Sequence, residues 1–248
     1  MARQKGLFKV SGTLEGVNFY VVKGVSYARK AGGGFNGKAI KTKASMQRVR
    51  ENASEFGHCS KVKKAFRLAL HDFIYGIKGK DFHSRMMRLF LEIKALDFVS
   101  ERGKRRVLAG LQTAKGRRLL KQFDFLVKQP MVGAFKDQAV FDWNTQVLTV
   151  SGFNASLFPA PNTATHIGVC LGVLDFDFEG LDASMQCSAI HFMEVGAGAS
   201  SFTLVPEDVL FPQHVGIAVV GFRYYELIEN EMYAFDKPVG VGVVDCKV

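Results

Sequence analysis

The sequence contains few cysteines, and the four that it has lie far apart. They are Cys59, Cys170, Cys187 and Cys246, with no Cys-x-x-Cys pair among them. Zinc ribbons need such pairs, and a disulfide framework needs a denser set of cysteines, so the sequence excludes both classes. Scattered cysteines also indicate a reducing compartment. We therefore expect an intracellular protein, in the cytoplasm or within a particle assembled there.

Long hydrophobic runs are missing as well. The basic N-terminus, MARQKGLFKVSG, is not followed by the continuous apolar stretch of a signal peptide, and no run approaches the length of a membrane span. The longest apolar windows, such as 215–221, suit a buried strand. We expect a soluble protein with no membrane partner.

Residue patterns typical of catalysis or metal binding are also absent. The six histidines show neither His-x-x-x-His nor His-Glu-x-x-His spacing. The best metal candidates are Asp175, Asp177 and Glu179, because alternate residues of a strand share one face and hard cations prefer oxygen ligands. We favour a solvated strand face for these three residues. The sequence therefore predicts a protein that is not an enzyme and has no catalytic residue, no cofactor and no metal site.

Charge is abundant, and it is unevenly distributed. Residues 1–128 contain 29 Lys and Arg against 9 Asp and Glu, a formal net charge of +20, whereas residues 129–248 contain 4 against 14, a net charge of −10. Segregated charge of this kind is typical of proteins that bind a polyanion or that dock complementary faces. We predict two domains divided near Lys128, a basic one at 1–128 and an acidic one at 129–248.

Hydrophobic periodicity predicts a different structure for each half. Runs rich in β-branched and aromatic residues at 6–30 predict a β-hairpin, and the spacing of apolar residues at 45–121 predicts helices, one of which we expect to end at Gly57. Beyond Phe123, six strand-like runs alternate with turn residues and show almost no helical periodicity. The predicted fold class is α+β, with an N-terminal β-hairpin and a basic helical region followed by an antiparallel β-sandwich.

The basic residues of the helical region recur in clusters, notably at 61–67, 102–106 and 115–121. A solvated helix face normally mixes both signs of charge, and these clusters are too one-sided for that explanation alone. Cations that neutralise phosphates release condensed counterions, and Arg can bind phosphate through two hydrogen bonds. We predict non-specific contact with a nucleic-acid backbone through ten residues: Arg48, Arg50, Lys61, Lys63, Lys64, Arg67, Arg105, Arg106, Arg117 and Arg118.

Three segments of the chain resemble a family of uncharacterised bacterial proteins of similar length. They are MARQKGLFKVSGTLEGVNFY at 1–20, QRVRENASEFG at 47–57 and VVGFRYYELIENEMYAF at 219–235. The third resembles the penultimate hairpin of the β half, where the family commonly has Asn-Gly at the turn and this chain has Glu229-Asn230-Glu231. The resemblance implies one architecture in which hairpin, helices and sandwich occur together, and it implies no activity or binding site.

These features predict a non-enzymatic structural or assembly protein that contacts nucleic acid, such as a virion or nucleoprotein component, with DNA and RNA both open. The alternative is a homo-oligomerising interaction module in which the basic half of one copy docks on the acidic half of the next. Such a head-to-tail contact gives a ring or a filament. A third hypothesis is a ligand- or metal-binding β-sandwich centred on Asp175, Asp177 and Glu179.

Overall fold

The computed structural model describes residues 2–4, 9–32, 37–77 and 79–248, apart from the side chains of Ala2 and Lys80. The chain forms two compact units, Met1–Arg50 and Glu51–Val248. The boundary predicted near Lys128 marks a change of charge rather than a gap in packing, because residues on both sides of it share one hydrophobic core.

The first unit is built on a four-stranded antiparallel sheet in the order β1-β4-β3-β2. Its strands are β1 Ala2–Arg3, β2 Gly12–Leu14, β3 Val17–Val22 and β4 Val25–Lys30. The turns Glu15-Gly16 and Lys23-Gly24 have positive φ at both residues, which is the geometry that two-residue hairpin loops favour. The predicted hairpin is confirmed over its described residues, and residues 6–8 of the prediction lie outside them. Helix α1 (Gly37–Thr42) and a 3₁₀ turn (Ala44–Met46) follow.

A helical region follows the hairpin, as predicted. Its helices are α2 Gln47–Ala69, α3 His71–Ile74, α4 Lys80–Lys94, α5 Val107–Leu111, α6 Ala114–Lys121 and α7 Pro130–Gln138. The prediction that a helix ends at Gly57 is wrong, because α2 continues through it. Glu55 and Cys59 are both buried on the same stripe of α2, so inward contacts on each side of Gly57 offset its weak helix propensity, which costs about 1 kcal/mol.

The remaining strands form two antiparallel sheets. They are β5 Ala139–Asp142, β6 Val147–Phe153, β7 His166–Phe176, β8 Ala183–Cys187, β9 His191–Glu194, β10 Ser200–Leu204, β11 Val215–Ile228 and β12 Glu231–Lys247. The smaller sheet has the order β10-β6-β5, and the larger has the order β12-β11-β7-β8 with β9 also paired to β7. The sequence prediction did not include α7, β5 or β8.

The larger sheet is buried on both faces. One face of β7 places Leu174 and Phe176 against the helices, where Phe66 of α2 meets Phe176 edge-to-face at 5.5 Å between ring centroids. The other face lies against the smaller sheet and α7, where Phe135 contacts both Phe153 and Phe222. Full burial of one such side chain stabilises a fold by about 2 kcal/mol, so both layers contribute substantially. The α+β class with an antiparallel sandwich is confirmed.

The β11–β12 hairpin has a tight two-residue turn at Glu229-Asn230. Glu229 and Asn230 have φ of 50° and 66°, and Ile228 pairs with Glu231 across the strands. This is the same two-residue geometry as in the N-terminal hairpin turns. The turn therefore adopts this backbone conformation without a glycine.

Candidate nucleic-acid interface

Four of the predicted phosphate-binding residues lie together on α2. They are Lys61, Lys63, Lys64 and Arg67, which we call the α2 cations. The buried stripe of α2 runs through Val62 and Phe66. Helical spacing therefore turns Lys61 and Lys64 to solvent and leaves the other two cations partly buried at the edges of the stripe.

A groove between α2 and α4 continues this positive surface. It has a volume of about 370 Å³, and we call it the basic groove: it is lined by Lys63, His83, Ser84, Met87, Arg88 and Leu91. Burial lowers the pKa of His83 below its usual value, and the nearby charges of Arg67 and Lys63 lower it further. The charges of Arg67 and Lys63 therefore reach the imidazole of His83 in the groove.

The α2 cations and Arg88 have no carboxylate within ion-pair distance in the described part of the chain. In addition, the Nε of Arg67 is buried without a hydrogen-bond partner among the described residues. Buried donors are normally paired, and cations on a solvated face normally alternate with acids. This surface therefore holds positive charge that the fold itself does not neutralise.

The cluster at 102–106 differs, because each of its cations has a carboxylate partner within 4 Å. Arg105 donates two hydrogen bonds of 2.8 Å to Glu55, one from Nε and one from Nη2. The other pairs are Arg102 with Glu51 at 3.3 Å, Lys104 with Glu101 at 3.0 Å and Arg106 with Glu179 at 3.8 Å. Arg105 and Arg106, both predicted to contact phosphate, are therefore engaged within the chain.

Glu55 is the centre of this paired cluster. It is 2% exposed, and besides Arg105 it accepts hydrogen bonds from the Nζ of Lys94 at 2.5 Å and from the backbone N–H of Gly103 at 2.7 Å. Burial alone would raise the pKa of Glu55, but the hydrogen bonds from Arg105, Lys94 and Gly103 outweigh it and lower the pKa to about 2. Glu55 is therefore ionised at neutral pH and holds both cations in place.

A second acid fixes the loop that carries these cations. Asp97 is 2% exposed and accepts hydrogen bonds from the backbone N–H groups of Val99, Ser100 and Arg106, at 3.1, 2.9 and 2.9 Å. The loop after α4 is thereby folded back towards α2, which brings Arg105 to Glu55.

The cluster at 115–121 is largely engaged in local contacts. Arg117 donates to the carbonyl oxygens of Leu111 and Gln112 at 3.3 and 2.8 Å, which satisfies the end of α5. Arg118 donates to the side chain of Gln122 at 3.3 Å, and Lys121 pairs with Asp245 at 2.8 Å. The last of these links the basic half to the acidic half within one molecule.

Arg48 and Arg50 belong to the first unit. Arg50 donates from Nη1 to the carbonyl oxygens of Ile40 and Lys43, at 2.6 and 3.0 Å, and so stabilises the segment before α2. Arg48 is exposed. Of the ten predicted residues, the structure therefore leaves the four α2 cations without carboxylate partners, whereas Arg50, Arg105, Arg106, Arg117 and Arg118 are engaged by other groups of the chain.

The acidic candidates do not form a shared strand face. Strand β7 ends at Phe176, so Asp175 lies in the strand, whereas Asp177 and Glu179 come after its end. Asp175 is 8% exposed and accepts hydrogen bonds from the backbone N–H groups of Gln213 and His214, both at 3.0 Å. The expected common face of Asp175, Asp177 and Glu179 is therefore wrong. Within the described ranges, no group of three His, Cys, Asp or Glu side chains could hold a metal ion.

Sequence reasoning missed Arg88, His83 and Glu55. Leu89 and Phe90 point inward in the predicted α4 region, and the same helical spacing places Arg88 outward. Glu55 lies four residues before Cys59 on the apolar stripe of α2, and a carboxylate in such a stripe needs a cationic partner. The sequence thus contains a signal for Arg88 and a signal for Glu55, but no signal that α4 packs against α2.

Comparison of the chain with protein-family models, with curated proteins and with solved structures found no match. Among the described helices, none is both long enough and apolar enough to cross a membrane.

Proposed function

We propose that this protein is a non-enzymatic structural or assembly protein that contacts the phosphate backbone of nucleic acid through the α2 cations and the basic groove. The observation that carries the proposal is the absence of carboxylate partners for these cations in the described part of the chain, beside a cluster in which every cation has one. A fold that pairs its cations in one place and leaves them together in another favours an external anion at the second place.

The dimensions of the surface suit a single phosphodiester strand. Lys61, Lys64 and Arg67 follow each other at three-residue intervals, so the row extends about 9 Å along the helix axis. Successive phosphates of one strand rise about 3.4 Å along a duplex, so the row can contact two or three of them. Arg88, on the far side of the basic groove, supplies a further donor.

Two doubly substituted variants test this interface. Lys61→Glu/Lys64→Glu reverses two exposed α2 cations, and Lys237→Glu/Lys247→Glu reverses two exposed lysines of the acidic half, so both variants change the net charge equally. Affinity for a fluorescent 20-nucleotide DNA and RNA is measured by anisotropy between 50 and 300 mM salt. We expect the first variant to lose about tenfold or more in affinity at 150 mM salt and to show a salt slope shallower by about 2.

The control variant should bind almost as the wild type does. Equal losses of affinity in both variants would show that binding depends on net charge alone, and would contradict a local interface. Wild-type binding that is absent, or that does not weaken with salt, would overturn the proposed function. A third variant, Lys63→Glu/Arg88→Glu, tests the groove: we expect a further loss when it is combined with the first.

Self-assembly is the second candidate, and it rests on exposed carboxylates in the acidic half. Glu194, Glu207, Asp208, Glu229 and Asp236 are exposed, and none of them has an ion pair in the described part of the chain. A neighbouring copy could place its α2 cations against them, and that contact would be heterologous. Light scattering of nuclease-treated protein separates the two candidates: large particles that dissolve in high salt favour self-assembly, and a monomer favours nucleic acid.

A further inference from the structure

A small cavity lies on the helix-facing side of the larger sheet, and none of the α2 cations lines it. Its volume is about 180 Å³, and its lining includes Phe73 of α3, Cys170 of β7, Cys187 of β8, and Arg223 and Tyr225 of β11. The proposed function uses none of these residues. The cavity is the place in the described structure where two cysteines meet.

Two glycines make room for Phe73 on this face of the sheet. Gly172 and Gly221 lie directly beneath the ring of Phe73, where any Cβ atom would overlap it. The side of the sheet that faces α3 is therefore bare backbone at these positions. Phe73 and the two cysteine side chains line the same cavity.

Strand register places the two cysteines on the same face. Cys187 is paired directly opposite Gly172, and Cys170 lies two residues from Gly172 on β7, so both side chains point to the same side of the sheet. Ser188 fixes this arrangement, because its N–H donates to the carbonyl of Leu171 at 2.8 Å and its own carbonyl accepts from the Sγ of Cys170 at 3.3 Å. The thiols are diagonal neighbours across two strands.

The two cysteines have unequal acidity. A hydrogen bond from the Cys187 thiol lowers the pKa of Cys170, although burial alone would raise it, and the same contact raises the pKa of Cys187. The other two cysteines are inert by comparison: burial raises the pKa of Cys59 to about 11 and that of Cys246 to about 12. Thiolate character and access to solvent decide which cysteines react.

We propose that Cys170 and Cys187 form an oxidisable dithiol site that a hydroperoxide converts into a disulfide. Three observations carry the proposal: the shared face, the common cavity and the partial exposure of both side chains. Neither cysteine is enclosed in the core as Cys59 is.

The reaction takes two steps. The Cys170 thiolate attacks the terminal peroxide oxygen, the O–O bond breaks, and the departing alkoxide or hydroxide takes up the proton that Cys170 has released, leaving a sulfenic acid. Cys187 then attacks the sulfenic sulfur, the S–O bond breaks, and the hydroxide that leaves combines with the Cys187 proton to give water. In total, two thiols lose two electrons, and the hydroperoxide is reduced to an alcohol, or to water when it is hydrogen peroxide.

The disulfide would join β7 to β8 and close the loop between them. Residues 171–186 would then be constrained in the unfolded chain as well as in the folded one. We expect the melting temperature of the oxidised protein to exceed that of the reduced protein by about 5 °C.

The test is thiol mapping of the full chain. Reduced protein is treated with hydrogen peroxide, unfolded in N-ethylmaleimide and digested for mass spectrometry, beside a sample that receives no peroxide. We expect the untreated chain to be labelled at all four cysteines and the oxidised chain only at Cys59 and Cys246, with a peptide linked through Cys170 and Cys187 that dithiothreitol separates.

Two variants separate the steps. In Cys187→Ser, dimedone should trap a sulfenic acid at Cys170, and in Cys170→Ser the remaining thiols should stay reduced. The proposal is overturned if Cys170 and Cys187 both remain labelled in the oxidised wild type, or if each links to another molecule instead. The wild-type map decides the question even if a variant does not fold.

Discussion

Two groups of cations in the basic half have similar compositions and opposite surroundings. The group at 102–106 contains four cations, and each has a carboxylate within 4 Å. The α2 cations are also four, and in the described part of the chain none of them has such a partner. A cluster of Lys and Arg in a sequence therefore does not by itself identify a binding surface.

The difference arises from what faces each group. Residues 102–106 lie in a loop that Asp97 folds back onto α2. There the buried Glu55 and the partly buried Glu51 form ion pairs with its arginines. The α2 cations lie on the outward side and edges of the same helix, next to the basic groove, whose lining includes Arg88 and His83 but no acid. Internal pairing stabilises the fold, whereas unpaired charge remains available to a partner.

The largest effect is expected from Glu55, which holds the paired group together. Replacing it as Glu55→Gln leaves Lys94, itself 8% exposed, and Arg105 without their counter-charge. We expect the free energy of unfolding to fall by about 3 kcal/mol at pH 7, measured by urea denaturation. The folded-state pKa of Glu55 is about 2, below its usual value, so the ionised form stabilises the fold above about pH 4.5.

The loss should therefore shrink as the pH falls below 4.5 towards 2, where the wild-type carboxylate is also protonated. Glu101→Gln is the matched control, because it removes a carboxylate from an exposed pair with Lys104. We expect no measurable change in its unfolding midpoint. A Glu55→Gln chain as stable as this control would contradict the structural role of the paired group.

At neutral pH a smaller effect is expected at His58, which lies between the two groups. Its Nε2 accepts a hydrogen bond from the backbone N–H of Val107 at 3.2 Å. Burial, then the charges of Arg106 and Lys61, lower its pKa from 6.5 to about 4. The unfolded chain therefore binds a proton at a higher pH than the folded chain, and stability should fall as the pH drops from 6.5 to 4.

Two measurements check this expectation. An NMR titration should show the imidazole of His58 neutral at pH 5.5, and Lys61→Glu should raise its pKa, because that variant replaces a repelling charge with an attracting one. His58→Gln should flatten the stability profile between pH 6.5 and 4. A pKa near 6.5 for His58 in the wild type would contradict both its burial and the influence of the charges of Arg106 and Lys61.

The smallest effect is expected at Gly57, on α2 between the buried Glu55 and the exposed Lys61. A Cβ atom at this position would meet nothing within 4 Å, so Gly57→Ala should raise the unfolding free energy by roughly 0.5 to 1 kcal/mol. Gly110→Ala is the contrasting control, since its Cβ would overlap the carbonyl of Ile93 in α4. Differential scanning calorimetry should show shifts of opposite sign, and a loss of stability in Gly57→Ala would contradict the continuous α2.

Much of the fold could be predicted from the sequence. Alternating apolar runs located β6, β7, β10 and β11, and helical spacing located α2 and α4, because in these elements one periodicity dominates. The predicted helix end at Gly57 was wrong because the low helix propensity of glycine was given more weight than the buried side chains of Glu55 and Cys59 on either side of it. Helix α7 was missed because it is short and lies between α6 and β5, where the chain changes from helices to strands.

The candidate interface could be predicted only in part. The four α2 cations are neighbours in sequence as well as in space, so the cluster of basic residues at 61–67 was enough to identify them. Arg105 fits the same pattern but lies 50 residues from its partner Glu55. Arg88 lies across the groove on another helix. Contacts over such separations depend on how the helices pack, which no local pattern reports.

The sequence alone determined the separation of charge, the order of hairpin, helices and strands, and the supply of basic residues. These follow from composition and from periods of two and 3.6 residues, which are properties of the chain. Only the tertiary structure decided which cations are neutralised within the fold, and which two of the four scattered cysteines lie side by side. Pairing of charges and of thiols requires closeness in space, and residues distant in sequence become close only when the layers pack.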